Sequence, residues 1–259
     1  MRSPMFTAIH WFRNDLRVDD NEALNLAVES ASRVGIQGRL LPVYVLEPEI
    51  MGKTPLGFPA TGPFRARFLL ETLQALRQAL RQIGSDLLIV QGLPEEVLPG
   101  LARQYNAKLV TWHSEPAHRE QHHEQLAAAR LQAQGAETGR CWGPSLLHPH
   151  DLPFDPWQQT PDVFTRFRRQ VEKRVQIREP IGALHKYPPM PDKIQHLRNS
   201  ESDKNPHPPE YRFAEYRDFG VELPQDDERS VLRFTGGEQA ARDRMEHYFW
   251  TTGRLASYK

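Results

Sequence analysis

Apolar positions along the chain gather into five short runs, separated by stretches of helical periodicity. The first run, Phe6-Thr7-Ala8-Ile9-His10-Trp11-Phe12, gives way at once to Arg13-Asn14-Asp15-Leu16-Arg17-Val18-Asp19-Asp20-Asn21 and then to helix formers over 22–28. Asp or Asn at that junction can accept hydrogen bonds from the free amides of a helix start, so the opening reads as strand, polar loop and capped helix. Residues 40–46 form a continuous apolar run, the mark of a strand buried on both faces, and Glu47-Pro48 ends it. Phe64, Phe68, Leu69, Leu73, Leu76, Leu80 and Ile83 recur at helical steps until Gly84. That spacing predicts a long helix with Arg65, Arg67, Arg77 and Arg81 on its solvated side. Further strands are expected at 87–92, 108–113 and 138–142, and further helices at 97–105 and 120–134. Pro99 stands either in the first turn of its helix or kinks it. Strands alternating with helices at this spacing predict an α/β fold. The expected form is a Rossmann-like, doubly wound sheet of five parallel strands, whose ligands gather at the strands' carboxyl ends.

After Trp142 the pattern dissolves, and most of the 22 prolines fall there. Residues 143–234 read as an irregular linker, interrupted by a short basic helix with two phenylalanines at 161–172. The part at 188–209 is too polar and proline-rich to fold alone, so it has to drape over something or stay mobile. Thr235-Gly236-Gly237-Glu238 has the form of a capping box. The helix it opens carries Met245, Tyr248 and Phe249 on an apolar face that almost nothing left in the chain could bury. A missing domain is the expectation.

Composition narrows the function classes. Lys plus Arg balances Asp plus Glu at 33 each, so no whole-molecule field draws the chain onto nucleic acid, local patches aside. The single cysteine, Cys141, excludes an internal disulfide, fits a reducing compartment and reads as a buried structural thiol. No apolar signal core or membrane-length run is present, so a soluble, cytoplasmic protein is expected.

Candidate chemistry is sparse. Gly52-Lys53-Thr54 lacks the first glycine of a phosphate loop, because Glu47 stands there. His113, His118, His122 and His123 with Glu115 and Glu120 form either a metal cluster or a solvated helix start. The two-histidine zinc spacing is absent, so no metal site is assigned, and no catalytic residue is either. Arg13, Asp15, Arg17 and Asp19 either bind a ligand or tie their loop down through ion pairs. Glu115, just past the fourth strand, either accepts N–H groups of a pterin or purine or serves as a helix-start carboxylate.

Trp11-Phe12-Arg13-Asn14-Asp15-Leu16-Arg17-Val18-Asp19-Asp20-Asn21-Glu22-Ala23-Leu24 resembles the opening motif of the photolyase/cryptochrome family. Gly62-Pro63-Phe64-Arg65-Ala66-Arg67-Phe68-Leu69 and the 84–92 segment resemble its next blocks. Leu152-Pro153-Phe154, Pro161-Asp162-Val163-Phe164-Thr165-Arg166-Phe167-Arg168 and the Tyr258-Lys259 ending resemble the cryptochrome DASH branch. The resemblance implies an α/β antenna domain at 1–142, an interdomain linker at 143–234 and the start of a helical FAD-binding domain at 235–259. It implies methenyltetrahydrofolate as antenna pigment with Glu115 as its acidic contact, and Tyr258 as the first residue of the flavin segment. It further implies a monomer in which reduced flavin, excited by blue light, splits cyclobutane pyrimidine dimers in damaged, mainly single-stranded DNA, where a lesion is cheaper to extrude. The chain stops before the rest of the flavin site, so antenna binding is all it is expected to perform. A non-catalytic nucleotide- or pterin-binding module on the same sheet, and a truncated product without function, stay open.

Overall fold

A computed structural model describes residues 5–191, 214–230, 232–253 and 256. Strands β1 (Phe6–Phe12), β2 (Gly38–Leu46), β3 (Leu88–Gln91), β4 (Ala107–Ser114) and β5 (Glu137–Trp142) form one sheet in the order β3-β2-β1-β4-β5. Every pairing is parallel, as the alternation of strands and helices predicts. The chain winds outward from β1 to β3, then crosses to β4 and β5 on the other side. The order therefore reverses between β1 and β4, which opens a crevice at their carboxyl ends.

Helices α1 (Glu22–Arg33) and α2 (Pro63–Gln82) cover one face; α3 (Pro94–Tyr105) and α4 (His118–Ala133) cover the other. Side-chain alternation along β1 serves both layers. Ala8 and Phe12 pack with Leu24 and Leu73, whereas Ile9 and Trp11 pack with Leu98 and Leu131. Burial on both sides explains why the strands read as unbroken apolar runs.

Two expectations about helices change. Of the four α2 arginines expected in solvent, only Arg65 is exposed there without an acidic partner at salt-bridge distance among the described residues. Arg67 is buried and paired with Asp226 at 2.7 Å, while Arg77 and Arg81 both hold Asp86, at 2.8 and 3.1 Å. Pro99 lies inside α3, where it deprives the Glu95 carbonyl of its helical donor. Arg130 of α4 supplies the substitute, donating to that carbonyl at 2.8 Å.

The irregular segment drapes over the sheet. Beyond the short helix α5 (Phe164–Arg174), Tyr187 and Met190 are buried, and the Pro189 carbonyl accepts from the Leu40 amide at 3.1 Å. Residues 192–209, the remainder of the stretch expected to drape or move, lie outside the described residues. Ala214 and Phe219 join the α1/α2 core, and the Gly236 amide donates to Glu71 at 2.9 Å.

The capping box at Thr235 does not form. The last helix, α6 (Glu238–Glu246), starts from Gly237 with no side-chain cap. Gly236 crosses α2 so closely that a Cβ would stand 2.3 Å from the Phe68 carbonyl oxygen, and Gly237 takes φ 114°, which side chains oppose. The close crossing dictates the entry angle and leaves Thr235 out of reach. Glu238 instead accepts from the Val18 amide at 2.9 Å. Met245, Phe249 and Trp250 are exposed. Among the described residues no helix is long and apolar enough to cross a membrane.

The bond from Arg130 to the Glu95 carbonyl should exist energetically because of Pro99. Arg130→Ala is expected to cost about 1 kcal/mol in the native sequence, and clearly less in a Pro99→Ala background that restores the helical donor. Urea unfolding of the four proteins checks this; equal costs in both backgrounds would contradict it.

Candidate functional site at the carboxyl edge of the sheet

The polar loop after β1 is fully engaged in structural bonds. Arg13 forms an ion pair with Glu124 of α4, both side chains buried, and donates to the carbonyls of His113 and Glu120 at 3.3 Å. Its guanidinium lies over the Trp11 ring at 4.5 Å. Glu124 is satisfied in turn by the Glu115 amide at 2.8 Å and the Ser114 hydroxyl at 3.0 Å. Asn21 caps α1, accepting from the Leu24 amide at 2.9 Å, as its position before the helix predicts. Arg17 donates to the carbonyls of Asp19 and Asp20 at 3.1 and 2.8 Å. Asp19 accepts from the Ala183 amide at 2.8 Å and pairs with Arg242. Asp20, at φ 51°, accepts from the Ile181 amide at 2.9 Å. These bonds tie the loop down, and Arg13 also lines the cavity at the strand ends.

A buried polar column runs beneath α1 between β1 and β4. Asp15 receives His113 Nδ1 at 2.5 Å, the Asn21 amide group at 3.2 Å and the Arg13 backbone amide at 3.1 Å. Burial pushes the Asp15 carboxyl upward, but the His113 bond and the charges of His113 and His10 together hold it below the usual range. His113 Nε2 accepts from the Ala23 amide at 3.4 Å, so the ring donates from Nδ1. His10 meets the Thr111 hydroxyl at 3.0 Å, and its Nε2 has no hydrogen-bond partner among the described residues. Burial lowers the His10 pKa to about 3, against the pull of Asp15.

Beside this column lies a cavity of about 240 Å³ over the ends of β1 and β2. Its apolar walls are Trp11, Tyr44, Ile50, Phe68 and Leu69; Glu47, Arg65, Arg119 and Glu120 supply charge. Burial raises the Glu47 carboxyl above its ordinary range, against the attraction of His123, Arg13 and Arg119. Glu115 is not on the lining. It stands at the rim, half-buried, accepting from Asn14 Nδ2 at 3.0 Å, and Asn14 does line the cavity. Glu47 is the carboxylate that sequence reasoning missed. Like Glu115 it directly follows a predicted strand, so the same positional rule finds both.

The four histidines singled out in sequence do not converge. His113 serves Asp15, His118 and His122 are exposed, and His123 turns toward Glu95, bonded at 2.8 Å. Cys141 is half-buried, its thiol pushed up to about 12 by burial and the Glu22 charge. Tyr258 lies outside the described residues.

Glu124→Ala leaves Arg13 buried without its counterion and should cost about 3–5 kcal/mol, whereas the double change Arg13→Met with Glu124→Leu should recover most of that. Denaturant midpoints decide the matter, and a loss under 1 kcal/mol for Glu124→Ala would show the pair to be dispensable. His10 adds a pH dependence. Between pH 6.5 and about 3 the unfolded chain takes up a proton that the folded chain refuses, so stability is full above 6.5 and falls below it. The slope reaches about 1.4 kcal/mol per pH unit. His10→Asn is expected to remove about 1 kcal/mol of the loss between pH 7.5 and 5.5, read from urea unfolding at both values.

The family model for DNA photolyase matches residues 8–191. The Cryptochrome DASH of Gloeobacter violaceus is 41% identical over 253 residues, spanning 98% of this chain and 46% of that protein. The Cryptochrome DASH of Synechocystis sp. is 38% identical over 256 residues, spanning 98% of this chain and 47% of that one. A crystal structure of the Synechocystis cryptochrome superposes with a TM-score of 0.84 at 36% identity, over 100% of this chain and 49% of that one. The chain thus spans about half the length of the curated relatives it matches. By sequence and by superposition, it belongs to the DNA photolyase family, in the cryptochrome DASH branch.

Proposed function

We propose that this chain is the antenna-bearing N-terminal part of a photolyase-like blue-light flavoprotein. The observation that carries the reading is the aromatic-walled cavity with Glu47 on its wall and Glu115 at its rim, in a chain matched nearly end to end by Cryptochrome DASH proteins. That match supports it over a free-standing nucleotide- or pterin-binding module. In the proposed division, 1–142 is the antenna domain, 143–234 the interdomain linker and 235–259 the start of the FAD-binding domain. The whole protein acts as a cytoplasmic monomer on damaged, mainly single-stranded DNA. Bound FAD supplies the excited electron that splits a pyrimidine dimer, and Tyr258 belongs to its site.

The residues at the carboxyl edge fit a flat heteroaromatic pigment such as methenyltetrahydrofolate. Trp11, Tyr44 and Phe68 present ring surface, while Glu47 and the rim residue Glu115 offer carboxylates to N–H groups. Arg65 and Arg119 can face the carboxylates of a folate tail. At about 240 Å³ the cavity falls below the roughly 300–1,000 Å³ of drug-sized sites, so the ring system enters and the tail stays outside.

The chain is expected to retain methenyltetrahydrofolate through gel filtration, read from near-ultraviolet absorbance. Glu115→Gln and Glu47→Gln should each lower retention several-fold with little change in thermal midpoint. Retention untouched by both would remove the antenna from this edge, and stoichiometric FAD held by the chain would relocate the flavin site.

A further inference from the structure

On the α3/α4 side of the sheet edge, a buried imidazole faces two carboxylates across a gap that no hydrogen bond among the described residues fills. His123 of α4 is 5% exposed. Its Nδ1 meets the equally buried Glu95 of α3 at 2.8 Å. An imidazole that donates from Nδ1 to a carboxylate presents a lone pair at Nε2, the arrangement in which histidine binds metals. Nε2 faces Glu49 Oε1 at 3.6 Å and Glu47 Oε2 at 4.0 Å. Neither separation is a hydrogen bond. The three ligating atoms lie within 4.8 Å of one another.

We infer that Glu47, Glu49 and His123 bind a first-row divalent cation, Zn2+ or Mn2+, which ties the end of β2 to α4. Two ligands each about 2.1 Å from a tetrahedral ion stand about 3.4 Å apart, so small movements of the Glu47 and Glu49 side chains close the site. Both carboxylates come from one short turn, Pro48–Ile50 with the residue before it, and their oxygens lie within 4.8 Å of each other. Charge favours the ion. Against Glu47, Glu49 and Glu95 stand, among the described residues, Arg119, 3.3 Å from Glu49 and already shared with Glu120, and Arg13, already paired with Glu124. One imidazole with two carboxylates suits Zn2+ or Mn2+ better than Ca2+, which prefers oxygen alone, or Cu(I), which prefers sulfur. Glu49 is 42% exposed at its side chain and gives the ion a way in. Three protein ligands leave a position for water, next to the cavity that Glu47 also lines. The inference does not rest on the antenna reading.

The test is calorimetric titration of the chelator-stripped chain with ZnCl2 and, separately, with MnCl2. One ion per chain is expected for at least one of the two. Glu49→Gln, on an exposed side chain that folding does not need, should weaken binding at least about tenfold, and Glu95→Gln should weaken it by about 10–100-fold through the imidazole. His122→Gln, at the exposed neighbour, should leave it unchanged. No saturable uptake of either ion, or Glu49→Gln and Glu95→Gln proteins that bind as tightly as the native chain, would overturn the assignment.

Discussion

The buried pair of Arg13 and Glu124 is the constraint on which the carboxyl edge depends. Taking two charges out of water costs several kcal/mol per ion, and their attraction offsets this only where the remaining donors and acceptors are also met. Here they are. Glu124 collects bonds from the Ser114 hydroxyl and the Glu115 amide, and Arg13 reaches two carbonyls and lies on Trp11. Because those partners come from the β1 loop, the end of β4 and the first turns of α4, one satisfied network sets three elements at once. The positions of Asn14 and Glu115, and hence the cavity rim, follow from it.

How much of this was legible in the sequence depends on the range of the interaction. The five strands and the helices between them were readable because burial on both sheet faces writes itself into local runs and periods. Asn21 was readable as a cap because its partner is three residues away. Much of what failed needed a distant partner, although Arg77 and Arg81 were missed with Asp86 only nine and five residues on. Arg67 looks solvated until Asp226, 159 residues on, is brought beside it. The Thr235 capping box is correct as a local pattern, but the crossing of Gly236 over α2 overrides it. Arg13 and Asp19 admitted two readings because their partners in α4, the 181–183 segment and α6 lie more than 100 residues away in sequence. Glu115 was placed by position at a strand end, and the same rule applied to Glu47 would have found the acid that lines the cavity.

The irregular half of the chain is thereby less independent than its composition implies. A stretch rich in proline cannot build a ladder of its own, yet Tyr187, Met190 and Phe219 bury themselves against the α/β core. The ordinary surface of a Rossmann-like sheet becomes a bed for the segment that leads away from it.

Asp19 carries a consequence of its own. One carboxylate grips the returning segment with one oxygen, through Ala183, and the final helix with the other, through Arg242. A tug on α6 is therefore felt both at residue 183 and in the loop that ends in the Asn14 rim contact. The turn after β1, the returning segment and α6 are thereby pinned to one another at a single side chain.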